Sequence, residues 1–361
     1  MKQILARTAI ALAGVLPLVA SAGVAIGDYR TPTFNVAQEK SFLIPVTVDE
    51  AGEVSVAIFS PDGDEVRVLA ARQAGKGETL NFAWDGKDSQ GKTVPNEAWL
   101  PRVTLEAQDG ESVFDPSRNS GGEVIDAIVP DFGRRGDLSF TLDAPSRLLV
   151  RAGLKSGPLM RTMVNWAPRA AGKNRVAWNG FDHDNQVKLL DDPRLGVLVT
   201  GYRLPDHTII TEGGEDDYLA WRGEKGWESA MPDMSEVPLA RGGERLSRHY
   251  FLPRAVEAEP RVKVSLSGEM KPLSDDRYVV SGKTIVKVDM DKSSEWAMAQ
   301  SQYEIGFFID GDFVAEEEQG YVPLSWQLDT DYLDKGEHLL TVNVSGFNGA
   351  VGIRSLKLIK E

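Results

Sequence analysis

Short stretches of alternating apolar and polar residues, separated by turn residues, fill most of this chain. In residues 53–58, for example, Val54, Val56 and Ile58 share one face, and a Pro-Asp-Gly turn follows at 61–63. Strands buried on one face show this period of two. The 35 Gly and 19 Pro residues also favour strands and turns over helices. The pattern therefore predicts an all-β fold.

A tryptophan followed by a loop rich in Asp and Gly occurs twice. The motif residues are Trp84, Asp85, Gly86, Asp88 and Gly91 in the first copy and Trp178, Asn179, Gly180 and Asp182 in the second. The Trp, the Gly after it and the following Asp each recur at one spacing, as from 84 to 178. Since chance rarely preserves three such matches, we predict that one domain is duplicated.

The motif order resembles a known family. An alternating strand, a strand of hydrophobic-Arg-x-hydrophobic type, Ala-Gly and Trp-Asp-Gly-x-Asp-x-x-Gly are similar to the Ig-like domain of the flagellar hook-capping protein, which recurs in many secreted bacterial proteins. The first copy matches over about 38–110 and the second over 134–212, with Asn179 in place of the Asp and Asn185 in place of the second loop Gly. The resemblance implies a β-sandwich, and fold does not fix function.

Two further regions follow the repeats. Residues 213–260 lose the alternation and are too many for an ordinary connection, so we interpret them as an irregular linker or an extended packing segment. From residue 261 the strand pattern returns, with an Asp-Gly hairpin turn at 310–311. This part resembles the Ig-like module appended to many secreted bacterial glycoside hydrolases and adhesins.

The first 22 residues have the pattern of a cleaved secretory signal peptide. Lys2 and Arg7 precede an apolar run that is too short to span a bilayer, and Ala20-Ser21-Ala22 fits the cleavage rule. We therefore predict an exported protein, periplasmic or extracellular, without an integral membrane segment. The chain has no Cys, so neither disulfides nor thiolate sites are expected.

The predicted organisation is three Ig-like or fibronectin-III-like β-sandwiches in tandem after the signal peptide. The expected boundaries are 1–22 for the signal peptide, 38–112 for the first sandwich, 134–212 for its repeat, 213–260 for the linker and 261–361 for the third sandwich. We expect an elongated arrangement, with the third sandwich beyond an extended connector.

Charge and motifs exclude several functions. With 40 basic and 54 acidic residues, the chain has a net charge of −14, which disfavours nucleic acid and anionic membranes. The sequence lacks a nucleophile elbow, a phosphate-binding loop and a dinucleotide fingerprint, and its four histidines are not at zinc spacing. We predict no enzyme, no catalytic residues, no cofactor and no metal. A pair of carboxylates of glycosidase type stays open.

The Asp-rich loops also leave calcium open. Neither loop has the Gly and the acidic residue that a helix-loop-helix calcium site needs at its sixth and twelfth positions. A looser calcium site is one interpretation. The simpler one is that these side chains bond their own backbone and stabilise a turn.

Four aromatic residues of the linker are the predicted binding residues. Tyr218, Trp221, Trp227 and Tyr250 could stack on a sugar ring or anchor a protein partner, whereas the structural alternative is that they pin the linker onto a sandwich. By contrast, Trp84, Trp178 and Trp326 follow strand patterns and are expected in cores.

The sequence thus predicts a non-catalytic structural or adhesion protein of the cell envelope or an extracellular assembly. Its partners would be envelope or extracellular proteins, or copies of itself, bound through sandwich edges and loops. The alternative is a carbohydrate-binding accessory protein whose linker aromatics hold a polysaccharide. A hook-capping role is less favoured, because that family is exported by a route other than the signal seen here.

Overall fold

The computed structural model describes residues 23–29, 32–133 and 136–361. The predicted signal peptide lies outside the described residues. The described chain forms 25 strands and two α-helices, arranged as tandem β-sandwiches. The predicted all-β class of Ig-like or fibronectin-III-like sandwiches is confirmed.

The first sandwich has two facing sheets. Its strands are β1 (Val24–Ile26), β2 (Thr33–Asn35), β3 (Phe42–Val48), β4 (Gly52–Phe59), β5 (Glu65–Ala74), β6 (Thr79–Trp84), β7 (Ala98–Ala107) and β8 (Gly110–Phe114). One sheet has the order β1-β3-β6, and the other contains β7, β4 and β5 with β8 on the outer part of β7. Val54, Val56 and Ile58 are fully buried between the sheets, as their alternation predicts.

The second sandwich repeats this plan. Its region contains β9 (Val124–Ile128), β10 (Asp131–Phe132), β11 (Leu138–Leu142), β12 (Ser146–Leu154), β13 (Leu159–Arg169), β14 (Gly172–Val176), β15 (Leu195–Arg203) and β16 (Ile209–Glu212). The sheets are β10-β11-β14 and β13-β12-β15-β9. Leu148, Val150 and Ala152 of β12 are fully buried and occupy the place that β4 fills in the first sandwich.

Two strands cross the predicted domain boundaries. β16 follows β15 in the chain but returns to the first sandwich, where Ile209 pairs with Trp99 of β7 and residues 210–212 pair in parallel with β2. β9 precedes the predicted start of the second domain at 134, yet it forms the outer strand next to β15. Buried Thr211 holds β16 in place, because its Oγ1 accepts from the Trp99 indole N–H at 2.8 Å.

The segment 213–260 is short of regular structure but packed. It contains α1 (Tyr218–Glu224) and a small hairpin of β17 (Ala240–Arg241) and β18 (Glu244–Arg245). Asp217 caps α1, since its Oδ1 accepts from the backbone N–H of Ala220 at 2.9 Å. Val256 within the segment is fully buried. The segment is therefore an extended packing segment, and we call it the connector.

The third sandwich contains the longest strands. They are β19 (Val262–Ser274), β20 (Arg277–Met290), β21 (Tyr303–Ile309), β22 (Asp312–Glu317), β23 (Leu324–Asp329), β24 (Gly336–Gly346) and β25 (Val351–Lys360), with α2 (Lys292–Ala299) between β20 and β21. Residues 277–280 of β20 pair with β25, and residues 283–288 pair with β23. Gly282, at φ +52°, lies between these parts, so one strand serves two layers.

No helix of the described residues has both the length and the apolar character required to cross a membrane.

Candidate functional site

The two Trp motifs form the same local structure. The Trp84 indole N–H donates to the carbonyl of Lys87 at 3.0 Å, and the Trp178 indole N–H donates to the carbonyl of Phe181 at 2.8 Å. Both rings are buried. Each indole therefore closes the loop that follows its own strand, at the same spacing along the chain.

The residue after each Trp keeps its role despite the change from Asp to Asn. The Asp85 Oδ1 accepts from the backbone N–H two residues later at 3.2 Å, and the Asn179 Oδ1 does so at 3.1 Å. Gly86 and Gly180 follow with φ of +70° and +82°. A Cβ at either glycine would come within 2.7 Å of a neighbouring side chain, so both loops require glycine there. Gly91, at φ +82°, has open space around it.

Asp88 and Asp182 stabilise these loops from inside. Each is at most 1% exposed, and each Oδ1 accepts from two backbone N–H groups of its own loop, at 2.9 and 2.9 Å for Asp88 and at 2.6 and 2.9 Å for Asp182. This is the turn-stabilising geometry of Asp side chains. Within the described residues, no group of three or more metal-ligating side chains lies together.

The second carboxylate oxygen of Asp88 meets the connector. The Lys225 ammonium lies 2.5 Å from the Asp88 Oδ2 as a close ion pair, and it also lies 4.8 Å from the centre of the Trp221 ring. Burial alone would raise the pKa of Asp88, but the Lys225 ammonium and the loop N–H groups outweigh burial and lower it. The first loop is therefore a docking site for α1 and the residue after it.

The second loop faces the third sandwich instead. Among the described residues, the Asp182 Oδ2 has no hydrogen-bond partner, and burial, with a smaller effect of Asp184, raises the pKa of Asp182. Asp184 pairs with the guanidinium of Arg354 on β25, and its Oδ2 accepts from the backbone N–H of Ser355 at 2.6 Å. Both loops thus dock a neighbouring element, but within the part of the chain that the structure describes only the first receives a cation on its buried Asp.

The predicted binding aromatics of the connector are used for packing. Tyr218 and Trp221 are 8% and 1% exposed and belong to the core of the first sandwich, where Trp221 meets the Trp99 ring edge-on at 5.6 Å. Half-buried Trp227 packs on Trp221 at 5.4 Å. Tyr250 lies elsewhere, against Tyr202 of the second sandwich at 5.7 Å. These four residues do not form one site, and the two buried rings present no face to a ligand.

A buried ion pair between the first two sandwiches was not predicted from the sequence. Arg147 of β12 donates to both carboxylate oxygens of Glu97 beside β7, at 2.5 and 3.2 Å, and both side chains are buried. Burial alone would lower the pKa of Arg147, but Glu97 raises it. The alternation pattern does not predict that either residue is buried. Each charged residue stands beside apolar residues of its strand, as an exposed charged residue also would.

The end of the connector extends this polar contact. The carbonyl of Trp166, which accepts from Arg147 at 2.8 Å, also accepts from Arg254 at 2.8 Å. Buried Glu257 pairs with Arg254 and, at 2.5 Å, with the Nδ1 of His249, whose ring stacks on Trp166 at 4.1 Å. Trp166 has the left-handed φ of +46°, which is a strained conformation for a residue with a side chain.

The second and third sandwiches touch directly. The Asn343 side chain accepts from the backbone N–H of Leu159 at 2.8 Å and donates to its carbonyl at 2.9 Å, which satisfies both backbone groups of the first residue of β13. Arg151 of β12 donates to the carbonyl of Gly349 at 2.7 Å. The expected elongated spacing across an extended connector therefore does not describe this junction.

The strand edges that remain open differ in their protection. The outer part of β19 contains Pro272, and β22 ends in Glu316 and Glu317, so a proline and like charges oppose strand addition there. β9 has the sequence Val-Ile-Asp-Ala-Ile, with one Asp and a bulge at 126–127 but without Lys, Pro or neighbouring like charges, and is the end strand of its sheet. A groove of about 390 Å³ is lined by residues 124–128 of β9 and by 141–144. This groove is the candidate contact site.

His338 forms hydrogen bonds outside these surfaces. The Nδ1 of His338 lies 2.6 Å from the Asp310 carboxylate, and its Nε2 lies 2.9 Å from the carbonyl of Asp334. Asp310 raises the pKa of His338. These contacts tie the start of β24 to the turn after β21.

A cleft of about 950 Å³ lies between the first two sandwiches and the β17–β18 hairpin. Both signs of charge line it, including Asp28, Arg203, Glu123 and Arg241. The last two pair at 2.6 Å. The cleft thus has the mixed, partly neutralised lining of a domain interface.

No family model and no curated protein matches this chain. Among solved structures it is similar to the fibronectin(III)-like modules of Clostridium thermocellum CbhA, with 10% identity, 94% of both chains covered and a TM-score of 0.20. It is also similar to a tetra-tandem repeat from the extending region of a large adhesion protein, with 16% identity, 93% of this chain and 73% of that chain covered and a TM-score of 0.17.

A third similar structure concerns host cell surface retention of a 1.5-MDa bacterial ice-binding adhesin, with 10% identity, 91% of this chain and 95% of that chain covered and a TM-score of 0.17. At such TM-scores these structures support no statement about activity. The resemblance of the first two sandwiches to the hook-capping domain stays a prediction. What is established for this chain is the tandem fibronectin-III-like and Ig-like β-sandwich architecture described above.

Proposed function

We propose that this chain is an exported, non-catalytic structural or adhesion protein that contacts other proteins of the cell envelope or of an extracellular assembly. The observation that carries this proposal is the buried contact between modules. Arg147 and Glu97 join the first two sandwiches, and β16 returns from the second to the first. Together they hold the sandwiches in one fixed arrangement.

Fixed modules suit a scaffold because they present their outer edges at constant spacing. Truncating one partner of this buried ion pair would leave the other charge buried and unpaired, at a typical cost of about 3–5 kcal/mol, so both side chains are needed where the two sandwiches meet. Flexible linkers, by contrast, leave neighbouring domains free to reorient. The carbohydrate-binding alternative depended on aromatic faces in 213–260, and the burial of Tyr218 and Trp221 favours the structural role over it.

Cell fractionation and covalent capture test this function. The tagged chain, expressed with its own first 22 residues in its own cells, is expected in the periplasm or outside the cell, cross-linked to defined envelope or extracellular proteins. A matched chain with Glu97→Ala, which weakens the contact between the first two sandwiches, should be exported equally but should capture less of these proteins. Retention of the protein in the cytoplasm, or retention on polysaccharide with no protein partner, would contradict the proposal.

A further inference from the structure

We propose that the open edge of β9 binds an extended peptide strand of a partner protein, with alternating apolar and basic residues. This inference rests on the proposed function and names the surface through which the second sandwich would make its contact. Strand addition of this kind takes its affinity from main-chain hydrogen bonds and its specificity from alternate side chains.

The backbone of β9 offers one unused edge. β9 pairs with β15 on one side, and no strand of the described chain pairs with residues 124–128 on the other. Immediately before β9, Glu123 forms an antiparallel bridge with Leu246 of the connector. This edge therefore already accepts one backbone partner, and an added peptide would continue the same ladder along β9.

The groove beside β9 has an apolar floor, which suits the binding of an added strand. Half-buried Ile125 and Ile128 pack against the core of the second sandwich, and Leu142 on the opposite wall is 3% exposed. At about 3.3 Å per residue, the five residues of β9 match a peptide segment of similar length. Val129, just beyond the strand, is 91% exposed and extends the apolar surface.

The charge of the groove sets the chemistry of the peptide. Asp126 and Asp143 both line the groove. Among the described lining residues, Arg203 is the one basic side chain beside these two carboxylates, in a chain of net charge −14. Basic residues on the outer face of the peptide would meet these carboxylates, while the alternate apolar residues face Ile125 and Ile128.

The geometry favours a peptide over a second copy of this chain. Between the pairs Val199–Ile128 and Gly201–Ile125, β9 places two residues opposite Thr200, which is a β-bulge. A bulge twists the edge and opposes pairing with another rigid sheet. A flexible peptide follows that twist because it is not held by a sheet of its own.

Hydrogen exchange on the exported full chain tests this site. The probe is a synthetic peptide, Lys-Val-Thr-Val-Lys-Val-Thr-Lys, and its control is the same peptide N-methylated at alternate residues. At saturating peptide, exchange of those amides of 124–128 that point to the open edge should slow by about tenfold or more, while the edge strand β5 stays unchanged. The control peptide should have no effect.

A charge variant separates the groove from non-specific attraction. The double substitution Asp126→Lys with Asp143→Lys should weaken peptide binding by about tenfold or more, as expected for lost charge complementarity. The matched control, Asp109→Lys with Glu111→Lys on the exposed turn and start of β8, changes the net charge equally and should leave binding unchanged.

Three results of the exchange and peptide-binding experiments would overturn the proposal. They are unchanged exchange at 124–128, equal weakening by both double variants, and protection of 124–128 that grows with protein concentration without peptide, which would indicate a second copy. Capture of the same envelope proteins by the wild type and by the Asp126/Asp143 variant would reject this site but leave the proposed function standing. Absence of any exported partner would reject the proposed function itself.

Discussion

The two copies of the Trp loop share their internal hydrogen bonds but differ in what meets the buried aspartate. Asp88 receives the ammonium of Lys225, and the pKa of Asp88 is lowered. Asp182 receives no cation on its Oδ2 within the described chain, and burial raises its pKa. A duplicated sequence therefore reproduces the turn, whereas the neighbouring element decides the electrostatics of the same side chain.

Removing the Lys225 cation from the first copy should have the largest effect on the free energy of unfolding. Lys225→Met leaves the Asp88 carboxylate buried without its partner, so we expect a loss of about 3–5 kcal/mol in the free energy of unfolding. Urea denaturation of the full chain measures this loss. Lys188→Met removes a lysine from an exposed pair and serves as the control, with an unchanged midpoint. Equal midpoints for both variants would show that the Lys225 contact does not stabilise the fold.

Neutralising the aspartate should act in opposite directions in the two copies. Asp88→Asn loses the attraction to Lys225 and should lower the free energy of unfolding by about 1–3 kcal/mol. Asp182→Asn removes a buried charge that has no cation among the described residues, so stability should stay the same or rise by up to about 1 kcal/mol at pH 7. The same denaturation experiment compares the two variants. A large loss of unfolding free energy for Asp182→Asn would show that the Asp182 carboxylate has a stabilising partner, contrary to this prediction.

The dependence of stability on pH should differ in sign as well. A lowered folded pKa gives Asp88 a stabilising contribution that is present above the unfolded pKa, near 3.9, and is lost as the pH falls through the folded value. A raised folded pKa makes Asp182 favour the protonated form, so its contribution is present at low pH and is lost as the pH rises through its folded value.

Melting curves of the wild type, Asp88→Asn and Asp182→Asn between pH 3 and pH 7 check this prediction. As the pH falls, the difference between wild type and Asp88→Asn should shrink, and the wild type should gain relative to Asp182→Asn. Parallel shifts for both variants would mean that the two carboxyl groups titrate alike.

Calcium should have the smallest effect. The Oδ1 atoms of Asp88 and Asp182 accept backbone N–H groups, and Lys225 and Arg354 lie beside the two loops. Calcium chloride or a chelator should therefore change the melting temperature by less than about 1 °C, since a ligand stabilises only by binding the folded state. A larger rise that Asp182→Asn abolishes would establish the looser calcium site.

Much of the local structure follows from residues close together in sequence. The period of two predicts the buried faces of β4 and β12, and the Trp-x-Gly-x-Asp spacing predicts the repeated turn. The aromatic residues of the connector illustrate the limit. Trp and Tyr suit both a binding surface and a buried contact, so composition alone leaves both roles of Trp221 open.

The candidate groove could not be predicted from local sequence patterns either. The residues of β9 lie outside the predicted boundaries of the second domain, and their alternation is weak. The groove exists because β16 returns to the first sandwich and β9 becomes the outer strand beside β15. An unpaired edge is a property of the whole sheet, and therefore no single strand sequence indicates it.

The sequence by itself thus determined the all-β class, the duplicated turn with its buried Trp and the apolar faces of the strands, because these depend on steric preferences and burial within a few residues. Only the tertiary structure decided the partners. Glu97 and Arg147 are 50 residues apart, and Gln90 and Lys225 are 135 apart. Contacts at such separations form only when the sheets pack, and among the described residues that packing gives Asp88 a cation and Asp182 none.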